Sequence, residues 1–207
     1  MNIIMLAAGT SSRMGNINKM LLDYNGLPMV THCCLKALEF LEEYSLQTNT
    51  KSRLVVVTGY RRQSTEKALN ACKQFIEQTK GLLDMVVINN PNYQKGQFTS
   101  AKKGLAQILE NQPFFISLAD MPLISANHYK ALVPLLKDYD AVRPFYNKEP
   151  GHPVLHSYSI KETVLSKADD FAMNKLMKNI KVLEKDFDDS SWTFDVDNPQ
   201  NYLSLIQ

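Results

Sequence analysis

Apolar residues in this chain gather into short, nearly unbroken runs separated by amphipathic stretches of helix length. Residues 2–7 (NIIMLA), 53–58 (RLVVVT), 84–89 (DMVVIN) and 114–119 (FFISLA) have the length and composition of strands buried on both faces. Between the first two, Val30, Cys33, Cys34, Ala37, Leu38 and Leu41 recur at the spacing of one helical face. The Gly26-Leu27-Pro28 turn precedes them, its proline suited to a first helical turn. That stripe makes Cys33 and Cys34 core residues. Further helices are predicted over 63–78, 98–110, 126–137, 158–166, 170–178 and 199–206. Strands alternating with helices of this length read as βαβ units around a mostly parallel sheet, an α/β fold. Beyond residue 140 the rhythm loosens into AVRPF, HPVLHS, KVLEK and WTFDV. These segments predict short strands in a small antiparallel addition to the sheet, or in a cover over its edge. With no internal repeat and no linker, residues 1–207 read as one domain.

Composition narrows the class. A chain of 207 residues, 44% hydrophobic and 21% charged, matches a soluble globular domain. A formal net charge of +2 argues against a nucleic-acid-binding surface as the main business, while leaving room for a local basic pocket. No apolar run approaches the ~20 residues of a membrane span. The apolar start lacks a basic flank and runs directly into candidate chemistry, so no cleavable signal is expected. Three cysteines, two of them adjacent, make no disulfide framework. The expected setting is a reducing cytoplasm.

In open α/β sheets, ligands bind beyond the carboxyl ends of the strands. The first such segment is Ala7-Ala8-Gly9-Thr10-Ser11-Ser12-Arg13-Met14-Gly15, with Lys19 four residues on. Its glycine spacing fits neither a dinucleotide fingerprint nor a Walker loop. Small residues nevertheless let backbone N–H groups approach oxygens, serines add donors, and Arg13 and Lys19 add positive charge. These are the ingredients of a polyphosphate cradle, and equally of an ordinary strand-to-helix turn with surface cations. After FFISLA comes Asp120, a carboxylate at a central strand tip, suited to Mg²⁺ or to capping the turn. Asp195-Val196-Asp197-Asn198-Pro199 sets two carboxylates at i and i+2, one face of a strand, before a helix opened by Pro199. Gly96 to Ser100 places a glycine and hydroxyls at a helix start, ready for an anion or carbonyl.

The remaining polar features point to less. Pro153 lies between His152 and His156, so they are no helical metal pair, and no zinc site is expected. His32 and His128 read as surface residues, Lys51-Ser52-Arg53 and Arg61-Arg62 as solvated. Residues 186–189 (DFDD) read as an exposed acidic loop. No hydrolase elbow or catalytic-cysteine context appears.

Taken in order, LAAGTSSRMGNINKMLL, VVVTGY, NNPNYQKGQFTSAKKGL, LADMPLIS, PGHPVLHS and DVDNP resemble the nucleotidyltransferases of molybdenum cofactor synthesis, the MobA-like NTP transferases. The resemblance runs from Leu6 to about Tyr202. It implies a Rossmann-like, three-layer nucleotidyltransferase domain. It implies nucleotide binding by Leu6, Ala7, Ala8, Gly9, Ser11, Ser12 and Arg13, and triphosphate binding by Lys19. Arg13, Lys19 and Asp120 would be catalytic. Mg²⁺ would sit on Asp120 and the C-terminal acidic motif, where Asp197, directly before the Asn-Pro turn, is favoured over Asp195. Gly96, Ser100, Gly151 and His152 would face the acceptor. Leu6-Ala7-Ala8-Gly9 together with Gly-His-Pro resembles the cytidylyl branch, whereas the guanylyl branch has glycine where Ala8 stands. Ala119 departs from the pattern, since glycine is common before the aspartate.

The implied reaction moves CMP from CTP to the terminal phosphate of a molybdopterin-type cofactor and releases pyrophosphate. A recipient molybdoenzyme or its chaperone would take the product. GTP as donor, another small phosphorylated acceptor, or a non-catalytic nucleotide-binding domain are the alternatives. An oxidoreductase is disfavoured, as neither a dinucleotide fingerprint nor a redox cysteine pair is present.

Overall fold

The four apolar runs form the parallel centre of one sheet. The computed structural model describes residues 1–15 and 17–207, with every side chain among them except that of Ser12. The chain runs β1 (Asn2–Ala7), β2 (Asp23–Tyr24), β3 (Leu27–Pro28), α1 (Met29–Thr48), β4 (Ser52–Thr58), α2 (Arg62–Ala68), α3 (Asn70–Glu77) and β5 (Leu83–Asn89). It continues through α4 (Gln97–Leu105), β6 (Phe114–Leu118), α5 (Ala126–Leu132), β7 (Ala141–Tyr146), β8 (Glu149–Pro150) and β9 (Val154–His156). Then follow α6 (Lys161–Leu165), α7 (Met173–Met177), β10 (Val182–Asp186) and α8 (Pro199–Leu205).

The strand order is β10-β7-β9-β6-β1-β4-β5, with β8 paired to β7. Parallel pairing joins β6, β1, β4 and β5, and also β7 and β10. β9 lies antiparallel between β6 and β7. The late strands therefore extend the main sheet in its own plane and do not cover its edge. The two-stranded pair β2–β3 stands apart, turned at Asn25 and Gly26, both at positive φ. WTFDV forms no strand: a tight turn at Ser190–Trp192 leads into irregular chain.

Every residue of β1 is buried, because the strand feeds two cores. Ile3, Met5 and Ala7 pack beneath α1, α3 and α5, while Ile4 and Leu6 pack beneath α4, α6 and α7. Each large apolar side chain so buried contributes about 1.5–3 kcal/mol, which is why polar alternation is missing from the central strands. All three cysteines are buried and unpaired with one another, as the helical stripe requires for Cys33 and Cys34.

Tertiary contacts redraw several helices. The stretch 63–78 divides into α2 and α3 at Leu69, where the Thr31 hydroxyl donates to the Ala68 carbonyl at 2.7 Å. The helix expected over 126–137 tightens at Val133–Leu135, since Pro134 has no N–H to continue it. Pro28 caps α1 from just outside rather than entering its first turn. Several polar residues are likewise less exposed than their sequence suggests. His32 is buried edge-on to Tyr24, and Ser52 is fully buried. Arg53 pairs with Asp84 at 2.6 Å. His128 accepts the Ser125 N–H at the start of α5 and lies 3.0 Å from Asp189, which ties down one end of the acidic loop. Among the described residues, no helix is long and apolar enough to cross a membrane.

Candidate active site

The chain leaving β1 folds back on itself through its own polar groups. Ser11 adopts a left-handed conformation, its carbonyl accepts the Met14 N–H at 2.9 Å, and its hydroxyl accepts the Lys19 N–H at 3.3 Å. Asn18 caps the next turn by accepting the Met20 N–H at 3.2 Å. These bonds carry Lys19 under the sheet's carboxyl edge, where only 9% of its side chain remains exposed. Its ammonium donates to Asp120 and, at 2.7 Å, to Asp197. The other Asp197 oxygen meets the Arg13 guanidinium at 2.7 Å. Asp120 follows the end of β6, and its carbonyl accepts the Val196 N–H at 2.9 Å, holding the C-terminal acidic segment against the strand tip. Asn198 then caps α8. Four charged groups from three distant segments thus meet at one point.

Their electrostatics follow from that meeting. Burial works against the Lys19 ammonium, but Asp120 and Asp197 outweigh it and raise its pKa above the ordinary value. Burial likewise works against a charged Asp197, and Lys19 with Arg13 reverses this and lowers its pKa. At Asp195 the same two cations act more weakly, with no hydrogen bond, and are outweighed. Burial, with Asp197 and Asp120 nearby, pushes it up to about 6. Asp197, rather than Asp195, makes the contacts.

Lys19 and Asp120 line a cavity of about 340 Å³ together with Leu6, Ala8, Gly9, Gly96 and Ser100. A side chain at Gly9 would meet only open space, so the backbone there is free to face a ligand. Ala7 turns its methyl into the core beneath α1 instead. The side chain of Ser12 lies outside the described residues. His152 lines an adjoining cavity. Gly151 is not among the lining residues of either cavity: a Cβ there would stand 2.3 Å from the Trp192 carbonyl oxygen, so its glycine serves packing. Gly151→Ala is accordingly expected to cost at least about 1 kcal/mol of stability with nucleotide affinity unchanged in the folded fraction. Urea unfolding alongside nucleotide titration checks this, and weakened binding at unaltered stability would return Gly151 to the site.

Two residues shape the site without a sequence signal of their own. Asn90 is fully buried and donates to both Thr99 and Ser100 at 2.9 Å, fixing the start of α4. Gly59, by its missing side chain, lets the end of β4 lie against Ala8. Tyr93, Gln94 and Gln97 add further lining.

The donor set at the meeting point suits a hard cation. Two carboxylates already share one ammonium, so the gap between them accommodates a positive charge. Among the described residues, no group of three or more His, Cys, Asp or Glu could hold a metal. An ion there would take two protein carboxylates and complete its shell with water or phosphate oxygens, the habit of Mg²⁺.

The profile of the MobA-like NTP transferase domain matches residues 3–185. The chain is 25% identical to the molybdenum cofactor cytidylyltransferase of Escherichia coli K12, over 97% of this chain and 93% of that protein. Its fold is similar to that of the Rv0371c protein of Mycobacterium tuberculosis H37Rv, solved in complex with manganese, with a TM-score of 0.72 and 19% identity over 99% of this chain and 97% of that one. A nucleotidyl transferase from Methanothermobacter has a similar fold, with a TM-score of 0.73 and 16% identity over 99% of this chain and 95% of that one.

Proposed function

The chain belongs to the MobA-like NTP transferase family, and from that premise we propose that it transfers CMP from CTP to the terminal phosphate of a molybdenum–molybdopterin cofactor, releasing pyrophosphate. The observation that carries this reading is the convergence of Lys19, Arg13, Asp120 and Asp197 beside the Ala8-Gly9 turn. The similarity to a cytidylyltransferase supports the choice of base and acceptor. The reaction would take place in the cytoplasm, with a recipient molybdoenzyme or its chaperone as the next partner.

Attacker and target in such a transfer are both anionic, so the barrier is largely repulsion and misalignment. The turn after β1 holds the nucleotide with backbone groups, Leu6 shaping the cavity wall and Ser11 fixing the turn through its bond to the Lys19 N–H. Lys19 and Arg13 stabilise the charge that grows on departing pyrophosphate. No side chain needs to remove a proton, because the acceptor phosphate is ionised at pH 7. Asp120 and Asp197 would hold a divalent cation of the Mg²⁺ type, which would supply Lewis-acid charge stabilisation to the phosphates. Gly96 and Ser100, at the start of α4, face the acceptor side.

Base choice rests on Ala8. Ala8 lines the cavity where the guanylyl branch has glycine, and the added methyl is expected to crowd a purine more than a pyrimidine. A base with the wrong edge also leaves a buried polar group unpaired, at about 1–3 kcal/mol. CTP is therefore expected to exceed GTP by at least about tenfold in kcat/KM. Ala8→Gly is expected to narrow that gap without reversing it. The test is a matrix of CTP, GTP and ATP against phosphorylated acceptors, read by pyrophosphate release. Equal use of GTP would remove the cytidylyl assignment. Nucleotide binding without turnover on any acceptor would favour a non-catalytic domain.

A further inference from the structure

Beside the nucleotide cavity lies a second one of about 310 Å³, and the two share Leu6, Gly96 and Gln97 as walls. Most of its remaining surface is apolar, with Phe98, Phe171, Met173 and Met177 contributed by α4, α7 and the chain before α7. Its polar residues are different in kind from those around Lys19. Both ring nitrogens of His156 and Nε of Arg143 are buried without a hydrogen-bond partner. Among the described residues these are three of the five such side-chain atoms, and the residues bearing them line this one cavity. Buried polar atoms are ordinarily satisfied, so a cluster of exceptions around a cavity points to a ligand that satisfies them.

The chemistry of the walls says which ligand. Burial, with Arg143 adding its charge, lowers the pKa of His152 to about 4 and of His156 to about 3, so both rings are neutral at pH 7. A neutral imidazole offers one N–H donor and one acceptor nitrogen, and Arg143 offers a further donor. Lys95 and Asp170 offset each other on the rim. Such a floor matches a ligand edge that both gives and accepts hydrogen bonds, and it is poorly suited to a bare anion. A polyol would also give and accept, but it would press hydroxyls against phenylalanine and methionine with nothing to bond them. A flat ring uses those walls by stacking and sulfur–aromatic contact.

We propose that this cavity seats the ring system of the acceptor, a fused bicyclic pyrimidinone of the pterin type, with Arg143 and His156 reading its donor–acceptor edge. The inference rests on the nucleotidyl-transfer reading above. The acceptor's phosphate then runs past Gly96, the wall common to both cavities, toward Lys19.

The experiment titrates the full chain, in the presence of CTP, with neopterin phosphate, whose pterin ring is fluorescent. Glucose 1-phosphate serves as the polyol competitor. Arg143→Met and His156→Leu are each expected to weaken the pterin probe by at least about tenfold, with CTP affinity held within about twofold. Retained CTP binding also shows that each variant is folded, and Arg143→Lys provides a milder variant should Arg143→Met lose it. Wild-type affinity for the probe in folded variants would overturn the assignment. So would a wild-type chain that binds CTP but prefers glucose 1-phosphate or ignores the pterin, and the nucleotidyl-transfer reading would survive that result. Failure of the wild-type chain to bind any nucleotide would instead overturn the functional reading itself.

Discussion

Asp120→Ala is expected to lower kcat by at least about a thousandfold, roughly 4 kcal/mol of barrier, while shifting the unfolding transition only slightly. The two halves of that expectation come from the same geometry. Asp120 stands at the end of β6, where its carboxylate and that of Asp197 enclose one positive charge. Removing it leaves a single carboxylate to hold a divalent cation, and a hard ion with one protein ligand is held weakly. The fold loses little, because Lys19 keeps its bond to Asp197 at 2.7 Å and the Asp120 backbone still accepts the Val196 N–H. Asp120→Asn preserves the shape and removes the charge, so it should match the alanine variant in turnover. Steady-state pyrophosphate release, with thermal unfolding and manganese titration beside it, checks the prediction. Near-native turnover in either variant would take Asp120 out of the reaction.

Much of the architecture was legible because its causes are local. A strand buried on both faces must be apolar throughout, and β1, β4 and β6 declare themselves that way, whereas β5, expected to be equally enclosed, is the sheet's edge strand and mostly half-buried. The late strands do not. β9 has only three residues, and its place between β6 and β7 is fixed by pairing with segments distant in sequence. The division between α2 and α3 carries no glycine or proline to announce it, since its cause is a threonine in another helix. At the site, the order of motifs identified Lys19, Asp120 and Asp197, which the structure brings together. The acidic pair was expected on a strand and sits on irregular chain, where one backbone bond to Asp120 orients it. Arg143 and His156 could not be singled out. A lone cation and a lone histidine on short strands look like ordinary sheet residues until the cavity beside them is seen.

The same cavity should make the protein sensitive to mild acid. His156 has a relative exposure of 1%, and its pKa is lowered by burial to about 3 from an ordinary 6.5. The unfolded chain therefore takes up this proton first. The stability at stake is intact above pH 6.5 and is lost as the pH falls from there toward 3. Between pH 7 and pH 5 the linkage amounts to about 2 kcal/mol for His156. His152, lowered to about 4, adds a contribution of the same sign and similar size. Asp195 opposes them. Its raised pKa of about 6 means the folded chain gains a proton in the same interval, which stabilises it. The slope of the wild-type chain alone is thus a balance and identifies no residue. The difference between the wild-type chain and His156→Leu does, because the contributions of Asp195 and His152 largely cancel in it. Urea unfolding at pH 7 and pH 5 should show the variant losing about 2 kcal/mol less than the wild-type chain over that interval. Parallel losses in the two proteins would mean that His156 is reached by solvent and titrates normally. The neutral floor assigned to the second cavity would then have to be redrawn with a charged imidazole at its base.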